Sequence, residues 1–116
     1  MIYLASPLTH DDPAVFAYRV EAVRRATAWY MARGIQVFSP INNCADLLPY
    51  CGLSEKSHDW WMQYNLSWLG CASELVVLTL PGWEESIGCQ QEIRYMERLG
   101  KPVSYISMEA IEEGQS

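Results

Sequence analysis

Apolar residues recur along this chain in two rhythms. Short β-type runs, "IYLA" (2–5), "IQVFSP" (35–40), "ELVVLTL" (74–80) and "VSYIS" (103–107), alternate with longer segments whose apolar positions repeat every three or four residues. The first two runs each close on Ser-Pro. Between them "THDDP" supplies a helix start, with Asp12 as N-cap and Pro13 at the first helical position, where a missing N–H costs nothing. Phe16, Val20, Val23, Thr27 and Tyr30 form its inward stripe, and Gly34 ends it. Residues 41–56 carry Asn, Pro, Gly and Ser without a period and predict a long loop, a feature that in compact domains is usually functional. Ser57 predicts the cap of a further helix, "SHDWWMQYNLSWLG", with Trp61, Leu66 and Leu69 inward. "ELVVLTL" is nearly continuous in apolar residues, as a strand buried on both faces requires. A helix from Ser86 to Gly100 follows, with Ile93, Met96 and Leu99 at core spacing; after the last strand, "MEAIEEG" predicts a short terminal helix.

The resulting order is βαβαβαβ. Alternation with helix-length connections implies a single α/β domain over residues 1–116, a three-layer Rossmann/flavodoxin-like parallel sheet of four or five strands with helices on both faces. Ligands of such sheets bind beyond the carboxyl ends of the strands. Here those ends are "ASPLTH", "SPINN" and "LPGWEES", so the chemistry is sought there.

Composition narrows the partners. Half of the residues are hydrophobic, which sets a globular fold as the expectation. The formal net charge is -6 and the basic residues are dispersed, so the phosphate-neutralising surface that a nucleic-acid polymer needs is missing. A small anionic ligand would need a local device to hold it. No apolar run reaches the length of a membrane span, and "MIYLASPL" lacks the basic start and long apolar centre of a signal peptide, so a cytoplasmic location without a membrane partner is expected. Cys44, Cys51, Cys71 and Cys89 are widely spaced and only two histidines are present, which predicts reduced thiols, no metal and no cofactor.

In "LPGWEESIGCQQE", Ser86 can cap the helix and Gly88 removes a side chain from its first turn. Free N–H groups and the helix dipole make such a terminus an anion site, with the Ser86 hydroxyl as a further donor. Glu92 lies one turn after Gly88 on the same face, and helical side chains lean toward the N-terminus, so its carboxylate would point at a ligand bound there. Equally, Ser86 can be a cap alone and Glu92 a solvated acid. Glu84 and Glu85 favour the helix start through its dipole yet would repel a phosphate. Tyr3 is either a core aromatic or a phenol donating to a carboxylate or a sugar oxygen; Ser6 is either a turn residue before Pro7 or a hydroxyl in the cleft. Asn65, semi-buried among apolar neighbours, needs hydrogen-bond partners, and a ligand hydroxyl could be one. Trp60, Trp61, Trp68 and Trp83 could each wall a base, with Trp83 assigned to that stacking, although most tryptophans in a small domain are core. His10 and His58 flank helix starts and read first as polar surface residues.

Taken together, "IYLASP", "NLSWLGCASELVVLTL" and "SIGCQQE" resemble the nucleoside 2-deoxyribosyltransferase superfamily across most of residues 1–106, and "GWEES-G---E" is similar to the signature of small bacterial members of it. Ser-x-Gly-x-x-x-Glu also matches the spacing of the deoxynucleoside 5'-monophosphate N-glycosidase branch. The resemblance implies that Glu92 attacks the anomeric carbon of a 2'-deoxyribosyl group, that Tyr3 orients it, and that Ser86 with Gly88 holds the 5' end or its phosphate. The substrate would be a nucleoside or nucleotide, and the protein a homo-oligomer. One departure stands out: where the superfamily usually has an acid before the central strand, this chain has Asn65, and an amide has no titratable proton for a departing base. Asp59 or another group would have to replace it, or the chain binds a nucleotide without cleaving it. A third possibility is an accessory domain whose apolar surface pairs with another protein.

Overall fold

The computed structural model describes residues 1–113. Four strands, β1 (Ile2–Ala5), β2 (Val37–Phe38), β3 (Glu74–Leu78) and β4 (Val103–Ile106), form one sheet in the order β2-β1-β3-β4 with every pairing parallel. Five helices, α1 (Pro13–Ala32), α2 (Pro40–Cys44), α3 (His58–Cys71), α4 (Ile87–Arg98) and α5 (Met108–Glu113), flank it. The α/β fold expected from the alternation is therefore present, with four strands.

Strand alternation divides the core. Ile2, Leu4, Val76 and Leu78 face α1 and α5, where they pack with Val23, Ala26 and Ile111. Tyr3, Ala5, Leu75 and Val77 face α3 and α4 and pack with Leu69, Cys89, Ile93 and Met96. The chain adds β2 on one side of β1 and then β3 on the other, so the direction of winding reverses between β1 and β3. That reversal opens a crevice at their carboxyl ends.

Local chemistry sets the boundaries. The Asp12 side chain accepts from Ala14 N–H at 2.9 Å, which fixes the start of α1, and Gly34 follows it at φ 73°. The inward stripe of α1 is Arg19, Ala22, Val23, Ala26 and Tyr30; Phe16, expected inside, is 39% exposed because the stripe runs through position 19 instead. The second strand ends at Phe38 because Ser39 caps a new helix, its hydroxyl accepting from Asn42 N–H with Pro40 in the first turn. The expected loop over 41–56 thus begins as α2 and continues in short 3₁₀ turns at Ala45–Leu47 and Leu53–Glu55. Ser57 caps α3 as expected, and Lys101 Nζ donates to the Gly70 and Ala72 carbonyls where α3 ends, an arrangement suited to the negative end of a helix. Leu99, expected in the core, is 46% exposed, since the last buried turn of α4 closes at Met96. The terminal helix forms as α5, with Gly114 of "MEAIEEG" outside the described residues. Trp60, Tyr64 and Trp68 remain at least one-third exposed along one side of α3, and among the described residues no helix is long and apolar enough to cross a membrane.

Candidate functional site

A cavity of about 850 Å³ lies beyond the carboxyl ends of β1 and β3, within the range of small-molecule sites. Its walls come from the segment after β1, from α1, from the α2 region, from the outer half of α3 and from the start of α4. At its base, the Tyr3 phenol donates a hydrogen bond to Glu92 Oε2. Tyr3 is fully buried, and Glu92 is only 6% exposed while still lining the cavity. Burial raises the Glu92 carboxyl from 4.5 to about 7, against the lowering effect of the Tyr3 hydrogen bond. No cation makes an ion pair with it among the described residues. Tyr3 itself is held well above the usual phenol range, first by burial and then by the Glu92 carboxylate, so it stays a donor.

At the start of α4, the Ser86 hydroxyl accepts from Cys89 N–H at 3.3 Å and lines the cavity with Gly88. A Cβ on Gly88 would meet nothing of the protein closer than Met62 Cε at 3.8 Å, an ordinary contact. The protein's own packing therefore does not demand glycine there; the side chain would occupy cavity space. Burial pushes the Cys89 thiol up to about 11, partly offset by Ser86 and Arg19, so it is a neutral floor to the site.

Arg19 is the functional candidate that sequence reasoning passed over. It is 8% exposed, lines the cavity, and donates to the Thr9 and Pro81 carbonyls at 2.9 Å each. It thereby ties the segment after β1 to the segment after β3. Gly82, at φ 94°, makes room for this: a Cβ there would stand 2.6 Å from Arg19 Nη2. No carboxylate pairs with Arg19 among the described residues, so a buried positive charge faces the cavity beside the α4 start. The signal was available, because Arg19 sits four residues before Val23 on the apolar stripe of α1.

The profile of a family described as "Domain of unknown function (DUF1937)" matches residues 1–108. The chain belongs to this family. Every residue lining the cavity falls within the matched DUF1937 region. Comparison with curated proteins finds no match.

Most of the residues singled out in the sequence converge. Ser6, Asn65, Ser86, Gly88 and Glu92 line the one cavity, with Tyr3 beneath them on Glu92. The Ser6 hydroxyl oxygen and the Asn65 side-chain carbonyl oxygen are buried without any hydrogen-bond partner among the described residues, the state expected of groups that a ligand or water completes. Trp83 does not converge. It opens the 3₁₀ turn Trp83–Glu85 after the left-handed Gly82, and its ring turns back to Tyr105 at 5.3 Å, so it packs on β4 and does not line the cavity. The flat wall is Trp61 on α3. Asp59 is also absent from the lining, whereas both histidines, read first as surface residues, stand at the cavity. Glu85 lines it too, and its charge opposes an anion that Arg19 would attract.

Proposed function

We propose that this protein is an N-glycosidase or 2-deoxyribosyltransferase acting on a deoxynucleoside or its 5'-monophosphate through a covalent glutamyl-sugar intermediate. The observation that carries the reading is the buried Tyr3–Glu92 pair at the base of a nucleotide-sized cavity. A carboxylate raised to about 7 is ionised in roughly half of the molecules at neutral pH and is poorly solvated, which favours attack on an electrophilic carbon. With the Tyr3 phenol occupying Oε2, Oε1 is the oxygen that attacks C1' as the C1'–N bond breaks and its electron pair leaves with the base. Water, or a second base, then attacks C1' of the ester and regenerates the carboxylate. The oxocarbenium-like transition state is stabilised by the adjacent negative charge.

Orientation follows from the poles of the cavity. Ser86, Gly88 and Arg19 suit the 5' end or its phosphate, and the buried Arg19 charge offsets the Glu85 repulsion there. Ser6 and Asn65 suit sugar and base polar groups, and Trp61 the face of the base. The second reading, a nucleotide-binding module without turnover, is favoured by Asn65, which supplies no proton to the leaving base.

Incubating wild type and Glu92→Ala with a panel of 2'-deoxynucleosides and their 5'-monophosphates, and following free base by chromatography, separates these readings. Release that drops roughly 10³-fold or more in the variant identifies the enzyme. No release, together with a nucleotide-induced rise in melting temperature, identifies the binding module. No response to any nucleotide removes both.

A further inference from the structure

Asn65 has no titratable proton to give the departing base in the proposed reaction, and the cavity itself holds few groups that do. Its ionisable lining residues are His10, Arg19, Cys44, His58, Glu85, Cys89 and Glu92. Burial pushes both thiols up, the Arg19 guanidinium is committed to the Thr9 and Pro81 carbonyls, and Glu92 is assigned to C1'. Glu85 belongs to the α4 start, where the 5' end is placed. His10 stands on the segment after β1, one residue from Thr9, whose carbonyl binds Arg19, and so belongs to the pole assigned to the 5' end. His58 remains, and its position differs from all of these.

His58 is the first residue of α3, and His58, Trp61, Met62 and Asn65 line the cavity from one face of that helix. The spacing i, i+3, i+4, i+7 places them in a row about 10 Å long, with Trp61 between the two polar ends. A flat base on Trp61 therefore has one edge toward Asn65 and the other toward His58. The ring is oriented from across the site: Nε2–H donates to Gln91 Oε1 at 3.3 Å, and Gln91 immediately precedes Glu92 on α4. This leaves Nδ1 as the nitrogen that gains and loses a proton.

We propose that His58 is the general acid–base residue for the departing base, a role the Asn65 amide cannot fill. This rests on the glycosidic reading above. In the first half-reaction, Glu92 Oε1 bonds to C1', the C1'–N bond breaks with its electron pair going to the base, and the His58 imidazolium gives its Nδ1 proton to a ring nitrogen of that base. In the second, neutral His58 takes a proton from the water attacking C1' while the C1'–Oε1 bond breaks and the Glu92 carboxylate returns. Asn65 then serves as a positioning residue, its unpartnered side-chain oxygen accepting from an N–H of the base.

The test uses the dependence on leaving group. 2'-Deoxyguanosine 5'-monophosphate needs a proton to release guanine; its N7-methylated form carries a positive charge on the base and leaves without one. The corresponding pair without the phosphate covers a nucleoside-specific enzyme. His58→Ala and His58→Gln are expected to lose roughly 10²–10³-fold in kcat/KM on the unmethylated substrates and only a few-fold on the methylated ones. His58→Gln can still bond to Gln91, so an equal selective loss in both variants assigns the effect to the proton and not to the contact. Wild-type melting temperatures for the variants confirm that the helix start is intact. Losses of equal size on methylated and unmethylated substrates overturn the proposal while leaving Glu92 as nucleophile. If wild type releases base from none of these substrates nor from any of the panel of deoxynucleosides and 5'-monophosphates above, the glycosidic reading itself falls, and the role of His58 with it.

Discussion

The two faces of the sheet are made from the same strands, yet they are built on different terms. Toward α1 and α5 the alternation places Ile2, Leu4, Val76 and Leu78 in hydrocarbon, with Ala22, Val23, Ala26 and Ile111 opposite. Toward α3 and α4 it places Tyr3 under Glu92, and among the described residues the carboxylate has a phenol and no ion-paired cation for company. The first arrangement gains stability from every residue in it. In the second, burial of Glu92 costs free energy at neutral pH, since burial is the main reason its carboxyl is raised to about 7. A fold retains such a cost where it has a use, and the cavity against Glu92 supplies one.

The contrast can be broken by substitution. On the hydrocarbon face, Leu4→Ala should destabilise the protein by about 2–5 kcal/mol, and by the same amount at pH 5 and pH 8, as measured by urea unfolding. On the other face, Glu92→Gln should do the reverse. The folded-state value near 7 lies above the ordinary 4.5, so the native state binds the proton more tightly than the unfolded chain. The stability linked to Glu92 is therefore complete below about pH 4.5 and lost as pH rises through about 7. The variant should be more stable than wild type by about 3 kcal/mol at pH 8, with the advantage gone near pH 4. A pH-independent difference between the two would show that Glu92 does not titrate as described.

Two smaller effects sharpen the same comparison. The Tyr3 hydrogen bond lowers the Glu92 value, so Tyr3→Phe should move the rising limb of kcat/KM upward in pH from its wild-type midpoint near 7. An unchanged midpoint would detach Tyr3 from the titration of Glu92. Gly88→Ala should alter stability by less than about 1 kcal/mol, in the stabilising direction, because alanine is the better helix former and no protein atom obstructs its Cβ. The same change should weaken nucleotide binding measured by calorimetry, since the methyl enters the cavity. Equal affinity would remove Gly88 from the ligand site.

Much of this was legible in residue patterns. The β-run and helix alternation carried the parallel sheet, and Asp12, Ser57 and Ser86 each announced a helix start that forms. Ser-x-Gly-x-x-x-Glu brought Ser86, Gly88 and Glu92 onto one face, where they meet the cavity. What stayed hidden had physical causes. The short α2 has too few turns to display a period, so Ser39-Pro40 read as the end of a strand when it is also a cap. The direction of Trp83 depends on the left-handed Gly82, a conformation that sequence permits but does not announce. Arg19 and the two histidines lie on separate elements, and only the closure of the crevice makes them neighbours of one space.

The Tyr3–Glu92 hydrogen bond also has a temporal meaning. Its donor lies on the first strand of the sheet, and its acceptor is made eighty-nine positions later. β1 must wait for β3, whose pairing begins at Glu74, and the phenol must wait longer still for α4. The pair therefore cannot form until α4 has been made, and a chain truncated ahead of α4 would lack both the carboxylate partner of Tyr3 and the helix that covers it.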